Sequence, residues 1–227
     1  MDKKKIWHLE NFNLLENLSQ KEMMNLDNMA VMKNAAKNEI IYLSDESSDN
    51  IYFLKNGRIK ISKYSDDGKE LVLAMLGPGE IFGESVLSGG DQREEDAEAM
   101  EDAVICSIDH HKFTELMVRN PELNLKIIKF IGFKLKKVQS KLEQLIFKNY
   151  EERIRYFIQE MAVKYGKKIV GSTEIVLNLD LTHDNIAKLT ATTRQKVSAV
   201  FNKLEQDDII SYNRKKIIIK DYSKLAD

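Results

Sequence analysis

Arg194 and Gln195 stand side by side after a run of threonines. They head a segment whose apolar residues Val197, Val200, Phe201 and Leu204 fall at spacings of three, one and three. That spacing predicts a helix with one buried stripe, capped by Thr193, whose hydroxyl can accept from an amide of the first turn. Its outward positions are then Arg194, Gln195, Ser198, Ala199 and Asn202. A second short helix is expected before it, capped by Thr182 and turning Ile186, Ala187 and Leu189 inward, with Thr190-Ala191-Thr192 as the break. Two helices joined by a turn, the second with a polar outer face, fit a helix-turn-helix. In that motif the N-terminal residues of the second helix meet base edges in the major groove of double-stranded DNA. Arginine can pair with guanine O6 and N7, and glutamine with adenine N6 and N7. The stretch IISYNRKKIIIK that follows reads as a hairpin tipped by Asn213, Arg214, Lys215 and Lys216, a basic wing placed to touch phosphate. An ordinary helical hairpin with a solvated polar face has the same periodicity, so the surrounding elements decide between the two.

One such element lies within residues 121–147. Ile128, Ile131, Leu135, Val138, Leu142 and Leu145 alternate spacings of three and four, with Lys, Gln or Ser over much of the rest. Apolar residues at both seam positions of successive heptads predict a helix that pairs with a second copy of itself. At 1.5 Å per residue the seam runs about 27 Å. A helix lying on its own domain usually carries a wider and less regular stripe. Phe130, Phe133, Ile146 and Phe147 form a second apolar face, expected to cover the N-terminal domain. Residues 149–165 predict a further helix with Ile154, Phe157, Ile158 and Met161 inward and Gly166 ending it.

The front half reads as strands and turns. IIYL, NIYFL, RIKISKY, ELVLAML and AVICSI are short runs rich in β-branched and aromatic residues. Ser47-Ser48-Asp49, Asn56-Gly57, Asp66-Asp67-Gly68 and Gly77-Pro78-Gly79 lie between them. Asn-Gly between two such runs predicts a hairpin, and many short strands at regular spacing predict an antiparallel roll or barrel.

Composition narrows the function classes. A length of 227 residues with 43% hydrophobic residues suffices for one large or two small cores. The net charge of −1 hides a split: 15 acidic against 6 basic residues in 44–102, 9 basic against 3 acidic in 126–155, and 9 basic against 6 acidic in 182–227. An acidic front and a basic rear predict two domains, the rear one suited to a polyanion. A single cysteine, Cys106, excludes a disulfide framework and a four-cysteine cluster within one chain; it is expected in the core. MDKKKIWHLE leads into no apolar run, and no stretch is apolar enough to cross a bilayer, so a cytoplasmic protein without membrane contact is expected. No nucleophile–base pairing, metal motif or catalytic phosphate loop is found, so an enzyme is not expected.

Taken in order, LKNGRIKI, GEIFGE, the heptad helix and LTHDNIAKLTATTRQKVSAVFNKLEQDDII resemble the CRP/FNR family of bacterial transcription regulators over nearly the whole chain. The resemblance implies an α+β fold: a double-stranded β-helix (jelly-roll) sensor of cyclic-nucleotide-binding type over residues 1–120, a dimerisation helix over 121–148 and a winged helix-turn-helix over 149–227. It implies that Arg194 and Gln195 read bases, that Thr182, Thr193, Lys196 and Asn202 lie near phosphates, and that RNA polymerase is a partner. The family's cAMP-responsive members commonly have Glu where this chain has Gln195 and a second Arg where it has Ala199, so a different DNA sequence is expected.

Members that bind cAMP use a Gly-Glu pair opening a short helix, whose amides face the phosphate and whose Glu meets the ribose, followed by an Arg-Ser pair. Gly83 and Glu84 match and Arg93 falls near the Arg position, but Glu94, Glu95 and Asp96 come next. Carboxylates beside a phosphate repel it unless they are paired or point away. The Thr-Ser pair that meets the purine falls at Val138 and Gln139. The expectation is a surviving scaffold, with Gly83 serving a close backbone approach and Glu84 paired with Arg93. Any effector at Gly83, Glu84 and Arg93 would then be an unidentified small molecule rather than cAMP. No cofactor is identified: the family's oxygen sensors need several cysteines, and a haem would need His8, His110, His111 or a Met. The adjacent His110 and His111 are expected to point in divergent directions. The alternative to a homodimeric regulator is a small-molecule sensor whose C-terminal domain mediates protein contacts.

Overall fold

The computed structural model describes residues 19–225 other than Ser48, Gly90, Asp91, Val170, Arg214 and Lys215. Helix α1 (Gln20–Met29) precedes eight strands: β1 (Val31–Ala35), β2 (Ile40–Tyr42), β3 (Asn50–Asn56), β4 (Ile59–Tyr64), β5 (Glu70–Leu76), β6 (Ile81–Phe82), β7 (Asp96–Ala99) and β8 (Ala103–Asp109). Then come α2 (His110–Arg119), α3 (Pro121–Phe147), α4 (Tyr150–Tyr165), β9 (Lys167–Lys168), β10 (Ile175–Leu177), α5 (His183–Leu189), α6 (Arg194–Gln206), β11 (Ile210–Asn213) and β12 (Lys216–Ile219). The chain divides into two compact units, Met1–Leu135 and Lys136–Asp227, the division falling within α3.

In the first unit the strands build two four-stranded sheets, ordered β1-β8-β3-β6 and β2-β7-β4-β5, with every pairing antiparallel. Tyr42, Leu54, Ile59, Phe82, Ala97, Ala99 and Ile105 form one buried cluster fed by both sheets. On the other side Ile51, Phe53, Cys106 and Ile108 pack with Met23 and Leu26 of α1, Phe113 of α2, and Leu123 and Ile127 of α3. The α+β class with an N-terminal roll is as expected. One local expectation is corrected. Asn56-Gly57 makes no hairpin, because β3 and β4 belong to different sheets. Only Gly57 takes a positive φ, +83°, and a Cβ there would sit 2.6 Å from the Asp102 carbonyl oxygen. The glycine serves a close crossing from sheet to sheet rather than a two-residue turn. Asp66-Asp67-Gly68 does join paired strands, β4 and β5, with Gly68 at φ +77°.

On α3, Leu123 and Ile127 are buried, whereas the whole 3-4 row, Ile128, Ile131, Leu135, Val138, Leu142 and Leu145, is 41 to 64% exposed. The expected second face is corrected in part: Phe130 packs on the roll, but Phe133, Ile146 and Phe147 are exposed.

In the second unit α4 starts at a capping box, in which Asn149 accepts from the Glu152 amide and Glu152 accepts from the Asn149 amide. Ile154, Phe157, Ile158 and Met161 are buried as the periodicity predicts. A four-stranded sheet ordered β11-β12-β10-β9 completes this unit. The wing expectation holds for its strands: β11 and β12 pair with Asn213 opposite Lys216, while Arg214 and Lys215 at the tip lie outside the described residues.

Candidate functional site

Helix α5 begins at Thr182, whose Oγ1 accepts from the Asn185 amide at 3.1 Å and donates to Asn185 Oδ1 at 2.7 Å. Helix α6 begins at Thr193, which accepts from the Lys196 amide at 3.4 Å. Between them Ala191 takes the left-handed conformation, φ +50°, which costs about 1–3 kcal/mol for a residue with a Cβ. Arg153 of α4 offsets that strain by donating to the carbonyls of Thr190 at 2.9 Å and Ala191 at 3.0 Å. The turn is thus clamped from outside the motif.

Val197, Val200, Phe201 and Leu204 are buried, and burial of such side chains contributes about 1.5–3 kcal/mol each. Arg194, Gln195, Lys196, Ala199 and Asn202 are left exposed on α6, and Ser198 is half-buried. Lys196 lies with its Nζ 4.8 Å from the centre of the Tyr150 ring. A ring cluster unseen in the sequence supports the outer face. His183 sits 4.9 Å from Phe201 and 5.4 Å from Tyr212, and Phe201 meets Tyr212 edge-on at 5.1 Å. His183 Nδ1 is 2.8 Å from Ser198 Oγ, and Tyr212 Oη donates to Asn202 Oδ1 at 2.8 Å. Burial, and then the Arg194 cation, push the His183 imidazole below its usual range. Lys216, on β12, is half-buried.

In the first unit, directly after β6, Gly83 takes φ +71° before a short 3-10 helix, Glu84–Ser88. A Cβ at Gly83 would lie 2.8 Å from Arg93 Nη1 and 2.9 Å from Tyr52 Cδ2, so the expected close approach is real. Arg93 is 2% exposed. Its Nη1 donates to the Gly83 carbonyl at 2.9 Å and its Nη2 to the Asn50 carbonyl at 2.6 Å, with Cζ 4.4 Å from the centre of the Tyr42 ring. The expected Glu84–Arg93 ion pair is therefore corrected. Arg93 is held by backbone carbonyls, and Glu84 pairs instead with Lys134 of α3 at 2.5 Å. Of the three carboxylates after Arg93, Glu94 pairs with Lys63 at 3.0 Å and Asp96 accepts from the Ser44 amide at 2.6 Å. Glu95 stays near Glu84 and Arg93, its carboxyl pushed up by burial and then by Glu84.

Residues 32–120 match the cyclic nucleotide-binding domain family, and residues 152–227 match the Crp-like helix-turn-helix domain. The chain belongs to the CRP/FNR family of transcription regulators. This CRP/FNR regulator is 26% identical over 215 residues to an anaerobic regulatory protein of Bacillus subtilis, covering 93% of this chain and 85% of that one. It is 24% identical over 186 residues to a CRP-like cAMP-activated global transcriptional regulator of Mycobacterium tuberculosis, covering 82% of each. The solved structure of a CooA mutant from Carboxydothermus hydrogenoformans matches with a TM-score of 0.75 at 27% identity, covering 96% of this chain and 93% of that one. The family is one of transcription regulators, not enzymes, and this member carries a helix-turn-helix DNA-binding domain.

Cys106 is buried in β8. His110 and His111 do not diverge: their ring centres are 3.8 Å apart, with His110 Nδ1 3.2 Å from the Asp49 carbonyl oxygen. Residues at the first two positions of a helix can converge when a loop carbonyl draws one ring back over the other. His8 lies outside the described residues. Among the described residues no helix is long and apolar enough to cross a membrane, and no group of three or more His, Cys, Asp or Glu side chains could hold a metal ion.

Proposed function

We propose that this regulator works as a homodimer that binds an inverted repeat in double-stranded DNA. Residues 1–120 act as the sensor, 121–148 as the dimerisation helix and 149–227 as the reading head. The observation that carries this is the row of six exposed apolar side chains on α3 in strict 3-4 spacing. Monomeric soluble proteins rarely leave so long an apolar stripe in water, and heptad spacing is what a second helix covers. Arg194 and Gln195 meet base edges, Ser198 and Ala199 lie beside them, and Thr182, Thr193, Lys196 and Asn202 lie near phosphates, with the basic wing at Lys215 and Lys216 on the backbone. RNA polymerase is the partner through which such a dimer would act on transcription.

An effector bound at the sensor would act by having different affinity for two arrangements of the dimer. That effector is not cAMP. The guanidinium that would meet a cyclic phosphate is already held by two carbonyls and a tyrosine ring, and Glu95 stands beside it. A phosphate there would find the Nη1 and Nη2 groups each already donating to a carbonyl, with only the buried Nε without a hydrogen-bond partner, and would approach the carboxyl groups of Glu84 and Glu95.

Two measurements test the DNA-reading role. Duplex affinity should fall by about a thousandfold or more between roughly 50 and 200 mM salt, as phosphate contacts release counterions. Arg194→Ala should cost about 1–3 kcal/mol and relax base preference at one position per half-site. Equal loss on every sequence would make Arg194 a phosphate contact instead.

A further inference from the structure

We propose that His183 is a specificity-determining residue that acts through Ser198: its ring nitrogen fixes which hydrogen-bonding role the Ser198 hydroxyl offers to a base edge. The inference rests on the DNA-reading role of α6 proposed above and adds a residue outside that helix to the readout.

The geometry is a relay of two atoms. Ser198 stands one turn after Arg194 on the outer face of α6, half-buried, with its Oγ 2.8 Å from His183 Nδ1. The imidazole cannot swing away easily, because Phe201 and Tyr212 hold it at 4.9 and 5.4 Å. A serine hydroxyl has one proton and two lone pairs. When Nδ1 is bare, Ser198 gives it that proton and turns only lone pairs outward. It then accepts, which suits the amino groups of adenine N6 or cytosine N4. When Nδ1 carries a proton, Ser198 accepts from the ring and its own proton is released. It then donates, which suits guanine O6 and N7 or thymine O4. With the neutral ring's proton on Nε2, Nδ1 is bare, and protonating His183 then reverses the polarity of Ser198 without moving a heavy atom.

The surroundings decide when that reversal happens. Burial disfavours the imidazolium, and so, next, does Arg194, the facing charge on α6. On α5 the neighbouring Asp184 is taken up by Lys188 at 3.0 Å. On β11 the Tyr212 phenol donates to Asn202. The ring is therefore neutral in the free protein at neutral pH, and acid conditions bring in the second state. Tyr212 fixes Asn202 in a parallel way, by occupying its Oδ1 and leaving the amide N–H groups outward.

The test measures the full-length chain against duplexes that carry each of the four base pairs at every half-site position, from roughly pH 8 down to about pH 5, the lower end chosen because burial and then Arg194 hold the imidazole below its usual range. Wild type should show one position per half-site where preference moves by about tenfold, from an amino-bearing base at high pH to an acceptor base at low pH. His183→Gln should keep selective binding with one pH-independent preference there. Ser198→Ala, a change on the surface of α6, should lose preference at that position throughout that range. Selective binding with no pH-dependent position in wild type, or a shift that survives in either variant, overturns the inference alone. Absence of any sequence preference in wild type throughout that range overturns the DNA-reading role and this inference together.

Discussion

Leu135→Glu combined with Leu142→Glu should leave the purified chain monomeric and weaken its binding to a two-half-site duplex by about 10²–10⁴-fold. Both leucines are more than half exposed, at 58 and 56%, so neither substitution removes a side chain from a core and the fold of one chain should survive intact. In a paired helix, however, the same change sets four carboxylates against one another along a seam that excludes water. Unpaired charges there cost several kcal/mol, since neither their hydration nor a counter-charge is available. The loss of affinity follows from geometry rather than from any lost DNA contact. When one reading head is bound, its twin is held at millimolar effective concentration near the second half-site, and that gain of about 10²–10⁴ vanishes with the link. Light scattering reads the oligomeric state and a gel shift reads the affinity. A variant that remains dimeric would remove α3 as the seam, and a monomer that binds as tightly as wild type would remove the need for two heads.

Phe201→Ala should destabilise the second unit by about 3–5 kcal/mol, the range for emptying a large aromatic site in a packed core. Phe201 is 1% exposed on the inner stripe of α6 and carries the His183 and Tyr212 rings against it at 4.9 and 5.1 Å. Its loss opens a cavity beneath the outer face of the reading helix and frees His183, which then no longer holds Ser198. Native-state hydrogen exchange separates local from global effects. Amide protection over residues 150–225 should fall by about the same free energy, while protection over residues 50–109 stays at its wild-type level. An equal fall over both ranges would show that the two units unfold as one.

What could be read from the chain was whatever repeats locally. The stripe of α6, its cap at Thr193, the cap at Thr182, the inward face of α4 and the 3-4 row of α3 all follow from helical period and hydroxyl placement within a few residues. The strand at Asp96–Ala99 has no sequence signature, because its inward residues, Ala97 and Ala99, are small and its outward ones acidic. Asn56-Gly57 misled for the opposite reason. It has the residues of a hairpin turn, but a roll needs the chain to change sheets there, and the glycine serves the crossing. Contacts between distant residues were out of reach. Glu84 and Lys134 are fifty positions apart, and Arg93 meets carbonyls of Gly83 and Asn50 that no side-chain pattern announces. Local pattern suggested only that Glu84 and Arg93, near in sequence and opposite in charge, would pair. His183 was likewise only the residue after a cap until the fold brought it against Phe201, Tyr212 and Ser198.

Selection of bound sequences from a pool of random duplexes, using the full-length chain, addresses symmetry and function in one measurement. Enrichment of an inverted repeat whose half-sites lie about one helical turn apart, roughly 34 Å from centre to centre, is the expected result. A single unrepeated half-site, or a pool returned with no enriched sequence, would contradict a paired regulator built on α3.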